Sequence, residues 1–309
     1  MDLSVNLAPQ HKLELRLRNP VMTASGTFSN GVEIGKHFDL EQLGAIVSKG
    51  TTIQPRRGNG TPRTVETAAG MITAIGFQNI GVSALINTVC PVWERWNVPA
   101  VVNIMGYTLE EYGTLAARLD GVPGVAALEV NISCPNVEAG GLEFGQDAHH
   151  AAADVREVAN ATSLPFLVKL TPSVADVRPI AEAVERAGAH ALTVSNTIPA
   201  MAIDAKRRRP VIANGFGGLS GPAVKPIAMR NVFQASSVVE IPVVASGGIM
   251  TGLDCVEFIM AGATAVQVGT ASFLDPAAPW NILRELEEWF TAEGVATIDE
   301  IRGVARRKD

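Results

Sequence analysis

One cysteine and two lysines are the residues of this sequence best suited to chemistry. Cys134 stands in the segment NISCPNV, between polar neighbours and directly after the apolar run VAALEV. Lys49 and Lys169 come at the ends of two other apolar runs, GAIVSK and PFLVKL. A thiolate can attack carbon or remove a proton, whereas a lysine can form a Schiff base or stabilise developing negative charge. The residue types alone leave these alternatives open.

Glycines follow two successive apolar runs near the end of the chain. ASGGI contains Gly247 and Gly248, VGT contains Gly269 and Thr270, and GGLSGPAVKP contains Gly221. Bare backbone N–H groups beside a helix N-terminus bind phosphate. A phosphate site, a cation and several amide side chains together suit flavin mononucleotide (FMN). A Schiff-base aldolase, and a barrel in which a cysteine nucleophile processes nucleotides without flavin, are the alternatives.

Eight short apolar runs, separated by segments of helical spacing, must position these residues. They are PVMTAS, GAIVSK, PAVVNI, VAALEVNIS, PFLVKL, HALTVSN, IPVVAS and TAVQVG. Such β-branched runs are typical of strands buried on both faces, and eight of them favour a parallel (β/α)8 TIM barrel over a doubly wound sheet. We expect one domain over residues 1–309, with an N-terminal β-hairpin over 1–20. The long segments 52–80 and 198–240 are predicted to be insertions at the barrel rim.

Polar residues and glycines stand where these strands end, which is where barrel enzymes bind their ligands. Because such groups are costly to bury without partners, we expect them to converge on a polar ligand. The residues are Ser25, Lys49, Gly50, Asn103, Asn131, Lys169, Ser195, Asn196, Gly247, Gly248, Gly269 and Thr270.

Composition limits the possible partners and location. A net charge of -6 and an isoelectric point near 5.5 argue against a nucleic-acid partner, which requires a basic face. The apolar runs are too short to span a membrane, and the N-terminus has no signal-like apolar region. The 3 cysteines are too scattered for a disulfide framework or a metal site. We therefore expect a cytoplasmic enzyme without a metal of its own.

The motifs, taken together, resemble a known family. NISCPN, SKGTT, FLVKLTP, VSNT, NGFGGLSGPAVKP, ASGGI and VGT, in this order and spacing, resemble class 1 dihydroorotate dehydrogenase along essentially the whole chain. GGLSGPAVKP and IGFQN are most similar to the type B catalytic subunit. The resemblance implies an FMN-containing TIM barrel that oxidises dihydroorotate to orotate in pyrimidine (UMP) biosynthesis.

The resemblance also implies roles for individual residues. Cys134 would be the base that removes the C5 proton of the substrate while hydride leaves C6 for the flavin N5. Lys49 would contact both flavin and substrate, and Lys169 would lie against the flavin ring. Further flavin contacts would be Ser25, Gly50, Asn103, Asn131 and Ser195, with Gly221, Gly247, Gly248, Gly269 and Thr270 at the phosphate. Substrate contacts would be Lys49, Thr73, Ala74, Ile75, Gly76, Phe77, Asn131, Asn136, Asn196 and Thr197. Thr73 departs from the family pattern, which usually has asparagine there.

The type B resemblance implies a protein partner. Such subunits pass electrons to a separate polypeptide that carries FAD and a [2Fe-2S] cluster, and then to NAD+. The cysteines of this chain lack the spacing of cluster ligands, so the cluster would lie on the partner. We expect a homodimer core that binds this subunit to give a heterotetramer. A type A homodimer that reduces fumarate is the nearest alternative.

Overall fold

The computed structural model describes residues 1–133, 135–136 and 142–306. Within these residues the strands are β1 (Val5–Asn6), β2 (Arg16–Leu17), β3 (Val21–Thr23), β4 (Ile46–Val47), β5 (Thr64–Thr67), β6 (Gly70–Thr73), β7 (Ala100–Ile104), β8 (Ala127–Asn131), β9 (Pro135–Asn136), β10 (Leu142–Glu143), β11 (Phe166–Lys169), β12 (Ala191–Val194), β13 (Ile198–Ala200), β14 (Ile203–Asp204), β15 (Arg209–Pro210), β16 (Gly217–Ser220), β17 (Val243–Ser246) and β18 (Ala265–Val268).

The helices lie mainly between the parallel strands. In the described ranges they are α1 (Gly81–Ala84), α2 (Cys90–Trp93), α3 (Leu109–Leu119), α4 (Ala148–Ala161), α5 (Arg178–Arg186), α6 (Lys225–Ala235), α7 (Gly252–Ala261), α8 (Ala271–Leu274), α9 (Ala278–Glu293) and α10 (Ile298–Ile301). A π-helical turn, Leu85–Val89, joins α1 to α2. None of the helices in the described part of the chain has the length and apolar character that crossing a bilayer requires.

The predicted (β/α)8 barrel is confirmed. Eight parallel strands form one sheet in the order β3-β18-β17-β12-β11-β8-β7-β4. A parallel bridge between Met22 and Ala45 joins β3 to the segment that leads into β4, so the ring is nearly closed. The residues of these strands are buried throughout, which is why their sequences are apolar runs rather than alternating ones.

Side-chain caps fix where several barrel helices begin. Thr251 and Asp254 form a reciprocal capping box at the start of α7. The carboxylate of Asp147 accepts from the backbone N–H groups of His149 and His150 at the start of α4. Gly188, just beyond α5, has a φ of 110°, a conformation that suits glycine after a helix. The first two caps fix the starts of α7 and α4, and Gly188 lies where the chain turns from α5 toward β12.

The N-terminal hairpin lies at the end of the barrel where the strands begin. Its strands β1 and β2 pair antiparallel, with Val5 opposite Leu17. The ring of His11, in the turn between them, packs edge-on at 4.5 Å from the ring of His190. Because His190 directly precedes β12, the hairpin is remote from the ends of the strands where ligands bind.

Two distant segments combine into a second sheet at the rim. Its strands are ordered β13-β16-β6-β5 and are all antiparallel. Ile72, Ala74 and Ile212 form a small core beneath this rim sheet. The rim part of the range 198–240 ends near Ser220, since α6 follows and packs against β12 and β17 of the barrel.

Candidate active site

A cavity of about 760 Å³ opens where the barrel strands end. Its walls combine the loops after five barrel strands and the last residue of a sixth, β11, with the rim sheet. Among the residues that the sequence singled out, those in the wall are Ser25, Lys49, Thr73, Ile75, Lys169, Ser195, Asn196, Thr197, Gly221, Gly247, Gly248, Gly269 and Thr270. These positions span residues 25 to 270, so the fold gathers side chains that are far apart in the sequence.

Four further predicted residues lie directly behind this wall. A Cβ atom at Gly50 would stand 3.0 Å from Asn103 Oδ1 and 3.8 Å from the ring of Phe77, so these residues pack together beside Lys49. Asn131 Oδ1 accepts a hydrogen bond of 3.4 Å from Asn196 Nδ2. Asn131 is thereby joined to the cavity wall through its neighbour.

Two predicted substrate contacts, Ala74 and Gly76, are not among the residues of the cavity wall. Ala74 packs in the small core beneath the rim sheet. Gly76 lies against Asn59, whose atoms would be within 2.7 Å of a Cβ atom added there. Both belong to the turn that carries Thr73 and Ile75, and their predicted contacts with the substrate stay predictions.

Cys134 lies outside the described residues. Asn136 belongs to β9, whose backbone pairs with β10 opposite Leu142. The predicted roles of Cys134 and Asn136 stay predictions.

The charged residues in the described cavity wall are all cationic. They are Lys49, Arg56, Arg57 and Lys169. Burial lowers the pKa of Lys49, because removing an ammonium group from water disfavours its charged form. A wall of this charge suits an anionic ligand such as a phosphate or a carboxylate.

Glycines with left-handed backbone form one end of the wall. Gly221, Gly247 and Gly248 have φ values of 91°, 129° and 77°. A Cβ atom at Gly248 would come within 2.6 Å of the Lys225 Cβ, and one at Gly221 within 2.8 Å of the Gly70 Cα. Only glycine therefore fits these positions, and their backbone stays open to a bound group. Beside them Thr270 Oγ1 donates to Ser220 Oγ at 2.8 Å.

Sequence reasoning missed the polar layer that lies inside the barrel beneath the cavity. We use this name for Asn103, Glu129, Lys169, Thr193 and Gln267, which are all buried. Their side chains form one connected network of hydrogen bonds and an ion pair around the carboxylate of Glu129. The available signal was a glutamate in the otherwise apolar run VAALEV, two positions before Asn131 and therefore on the same face of β8.

Rim residues of the wall were also missed. Arg56 and Arg57 come from the first rim segment, and the Arg56 guanidinium lies 4.9 Å from the centre of the Tyr107 ring. Phe273 of α8 lines the cavity mouth and is 52% exposed. An arginine pair in a long connection was the available signal, but nothing in the sequence indicated which way the connection folds.

Comparison with known proteins identifies the family. The family model described as dihydroorotate dehydrogenase matches residues 8–290. The chain is 52% identical over 302 residues to the dihydroorotate dehydrogenase B (NAD(+)) catalytic subunit of Geobacter sp. (strain M21), covering 98% of this chain and 97% of that protein. It is 54% identical over 289 residues to the subunit of the same name from Trichlorobacter lovleyi, covering 94% and 95%. The subunit of that name from Desulforudis audaxviator is 53% identical over 293 residues, covering 95% of each chain. With this match along almost its whole length, and with a barrel that gathers the motif residues around one cavity, the chain belongs to the dihydroorotate dehydrogenase family.

Proposed function

We propose that this chain is the catalytic subunit of a type B dihydroorotate dehydrogenase. It oxidises dihydroorotate to orotate in pyrimidine biosynthesis, and the electrons leave through FMN and a separate subunit to NAD+. The observation that carries the proposal is the cavity lined by the motif residues, whose described charged side chains are all cationic. Dihydroorotate and the FMN phosphate are both anions, so a wall whose described charges are all positive suits both.

Three features of the cavity and its surroundings suit bound FMN. Gly221, Gly247 and Gly248 leave open backbone at one end of the cavity, which suits the phosphate, with Gly269 and Thr270 beside them. The buried Asn103 Oδ1 has no hydrogen-bond partner among the described residues, so an acceptor is available for a ligand N–H. Lys169 brings a positive charge that stabilises an electron-rich ring. Ser25, Lys49, Gly50, Asn131 and Ser195 are the remaining proposed flavin contacts.

In the proposed reaction the residues of the chain bind the substrate and remove one proton from it. Cys134, as thiolate, accepts the proton from C5 of dihydroorotate and becomes a thiol, while the C6–H bond breaks and its hydrogen leaves with the electron pair. Bound FMN supplies the acceptor for this hydride. Lys49, Asn196 and Thr197 hold the anionic substrate, together with Thr73, Asn131, Asn136 and the turn that includes Ile75 and Phe77. A positioned base contributes typically about 10² to 10⁴ in rate.

In this proposal Thr73 contacts the substrate with fewer hydrogen-bonding groups than the usual asparagine has. A threonine hydroxyl can donate or accept, but it lacks the paired amide of the asparagine that is usual in the family. Thr73 stands opposite Gly218 in the pairing of β6 with β16, so the rim sheet fixes its position.

The proposed partner is a separate electron-transfer subunit with FAD and a [2Fe-2S] cluster. The relatives are named catalytic subunits, which implies a second chain in their enzymes. We propose that a homodimer of this chain binds two such subunits to form a cytoplasmic heterotetramer. Since the relatives carry the name dihydroorotate dehydrogenase B (NAD(+)), the type A reading with fumarate is not favoured.

Flavin absorbance tests the proposal most directly. The purified chain should bind FMN, and dihydroorotate should bleach the bound flavin in the absence of air. With the partner subunit from the native cell, NAD+ should restore the absorbance faster than fumarate does. A protein that cannot be loaded with FMN, or whose flavin dihydroorotate does not reduce, contradicts the proposal. Restoration by fumarate alone points to the type A reaction.

A further inference from the structure

The centre of the polar layer is a carboxylate that the proposed reaction does not use. Glu129 lies in β8 and is 0% exposed. Alternation along the strand puts it on the same face as Asn131, which points toward the barrel interior below the cavity. A carboxylate in such a place is costly to bury unless its oxygens are fully paired. The hydrogen-bond partners of the carboxylate therefore show which side chains it holds in position.

Every described polar neighbour of this carboxylate can act as a donor. Oε1 accepts from Asn103 Nδ2 at 2.7 Å and lies 3.7 Å from Lys169 Nζ. Oε2 accepts from Thr193 Oγ1 at 2.8 Å and from Gln267 Nε2. Both oxygens are thus used as acceptors, which is the arrangement that an ionised carboxylate requires. Glu129 places one negative charge directly beneath a wall whose described charges are positive.

Glu129 holds Lys169 in two ways. The ion pair acts directly, and Gln267 also bridges the two residues, because its Nε2 donates to Glu129 while its Oε1 accepts from Lys169 Nζ at 3.3 Å. The same ammonium lies 3.5 Å from Ser25 Oγ. Lys169 is 5% exposed, so its charge depends on nearby protein groups rather than on water. The other charged groups in the described cavity wall, Lys49, Arg56 and Arg57, are cations and cannot replace this anion.

Glu129 also sets the direction of the Asn103 amide. Because Nδ2 donates to the carboxylate, Oδ1 must point the other way, toward Gly50. That oxygen is buried and has no partner among the described residues. If residue 129 became an amide, Asn103 could turn over and present a donor to the ligand in place of an acceptor.

We propose that Glu129 is a positioning residue of the flavin site, which holds the Lys169 ammonium in place and keeps Asn103 Oδ1 directed at the ligand. The inference rests on the proposed function, because it assigns FMN as the ligand that these two residues meet. Glu129 does not line the cavity wall, so it acts through its contacts with Lys169, Gln267 and Asn103 and through the negative charge that it places beneath the site. Its effect is on the charge and the hydrogen-bonding pattern that bound FMN experiences, and it takes no proton from the substrate.

The test is the reduction potential of bound FMN as a function of pH in Glu129→Gln, which removes the charge and keeps the shape. The potential should be higher than in the wild type, because a negative charge near the flavin has gone while the Lys169 side chain is unchanged. FMN affinity should weaken about tenfold, through the loss of one well-made hydrogen bond.

Two matched controls separate this role from a structural one. Thr193→Val removes one hydrogen bond to Glu129 but no charge, so its potential curve should keep the wild-type shape. Asp154→Asn removes a buried carboxylate in α4, outside the cavity wall, and should also leave the curve unchanged. If Glu129→Gln does not fold, Glu129→Met serves instead, and it should shift the curve in the same direction, since it removes the same charge.

The outcomes are distinguishable. A wild-type chain that binds no FMN overturns the proposed function and this inference together. A wild-type chain with reducible FMN, beside a Glu129→Gln or Glu129→Met variant whose potential curve superimposes on the wild type, overturns the inference alone. A potential curve that is raised in the variant, and not in the two controls, supports it.

Discussion

Cys134 is the residue on which the proposed proton transfer depends. We expect Cys134→Ala to retain bound FMN, because the glycines proposed to hold the phosphate lie elsewhere in the chain. Its flavin should be reduced by dihydroorotate about 10² to 10⁴ times more slowly, through the loss of a positioned base. Rapid anaerobic mixing, followed by flavin absorbance, measures this rate.

Cys90 provides the matched control. It is a buried core cysteine, and burial raises the pKa of its thiol to about 11. Cys90→Ala should lower stability but leave the rate of flavin reduction unchanged. Reduction of Cys134→Ala at the wild-type rate would remove Cys134 from the mechanism.

The sequence indicated functional residues at the ends of strands, but it did not indicate those in the middle of a strand. Lys49 and Lys169 stood out because a charge follows an apolar run, and both line the cavity. Glu129 is just as buried, but it sits inside its run, where a sequence gives no sign of the four donors that stabilise it. Those donors come from four other strands, whose side-chain contacts are set only by the closed barrel.

The rim sheet is the element that positions the proposed substrate contacts. Gly218 of β16 lies against Thr197, and a Cβ atom there would stand 2.0 Å from Thr197 Oγ1. Gly218→Ala should therefore displace Thr197. We expect the KM for dihydroorotate to rise about tenfold, the loss of one good hydrogen bond, with FMN binding unchanged. Steady-state kinetics and flavin titration measure these two quantities.

Gly60 is the control for this substitution in the first rim segment. A Cβ atom there would meet nothing within 4 Å. Gly60→Ala should leave the KM and the affinity for FMN at wild-type values. Equal kinetics for the Gly218 and Gly60 variants would show that Thr197 does not require the space left by Gly218.

The barrel strands could be predicted from the sequence, whereas the pairing of the rim strands could not. Each barrel strand is a local apolar run, so its burial is visible in a few residues. The rim sheet joins residues 71–73 to residues 218–220 by antiparallel pairing, and these short strands carry no alternating pattern that would specify a partner so far away. Glycine and arginine content indicated loops at the rim but not the sheet that they form.

At the scale of the whole molecule, Asp154 makes stability depend on pH. Burial raises the pKa of this carboxyl in α4 from 3.8 to about 7, and neither oxygen has a partner among the described residues. Between these two pH values the unfolded chain is ionised while the folded chain holds the proton. Because the folded state then binds more protons, its stability falls as the pH rises, by at most about 1.4 kcal/mol per pH unit.

Asp154→Asn tests this dependence, since an amide does not ionise. The free energy of unfolding of the variant should exceed that of the wild type by an amount that grows from about pH 4 to about pH 7 and then stays level. Urea unfolding of both proteins across this range measures the difference. A difference that is constant with pH would mean that Asp154 is ionised in the folded protein throughout.

His190 makes stability depend on pH in the opposite sense, and it does so at lower pH. Burial, together with the neighbouring His11, lowers the pKa of its imidazole to about 4 from the usual 6.5. In the unfolded chain the ring takes up a proton at higher pH, so this histidine reduces stability as the pH falls from about 6.5 to about 4. His190 is unchanged in the Asp154→Asn protein, so its contribution cancels when the two unfolding curves are subtracted.

The pairing of β6 with β16 also bears on engineering. Hydrogen bonds join residues 71–73 to residues 218–220. The two rim segments therefore form one structural unit, although they are far apart in the sequence. A chimera that takes only one rim segment from a distant homologue leaves a rim strand without its matching partner strand. Transplanting both at once preserves the pairing, so recombination libraries built on this scaffold should treat them as one exchangeable unit.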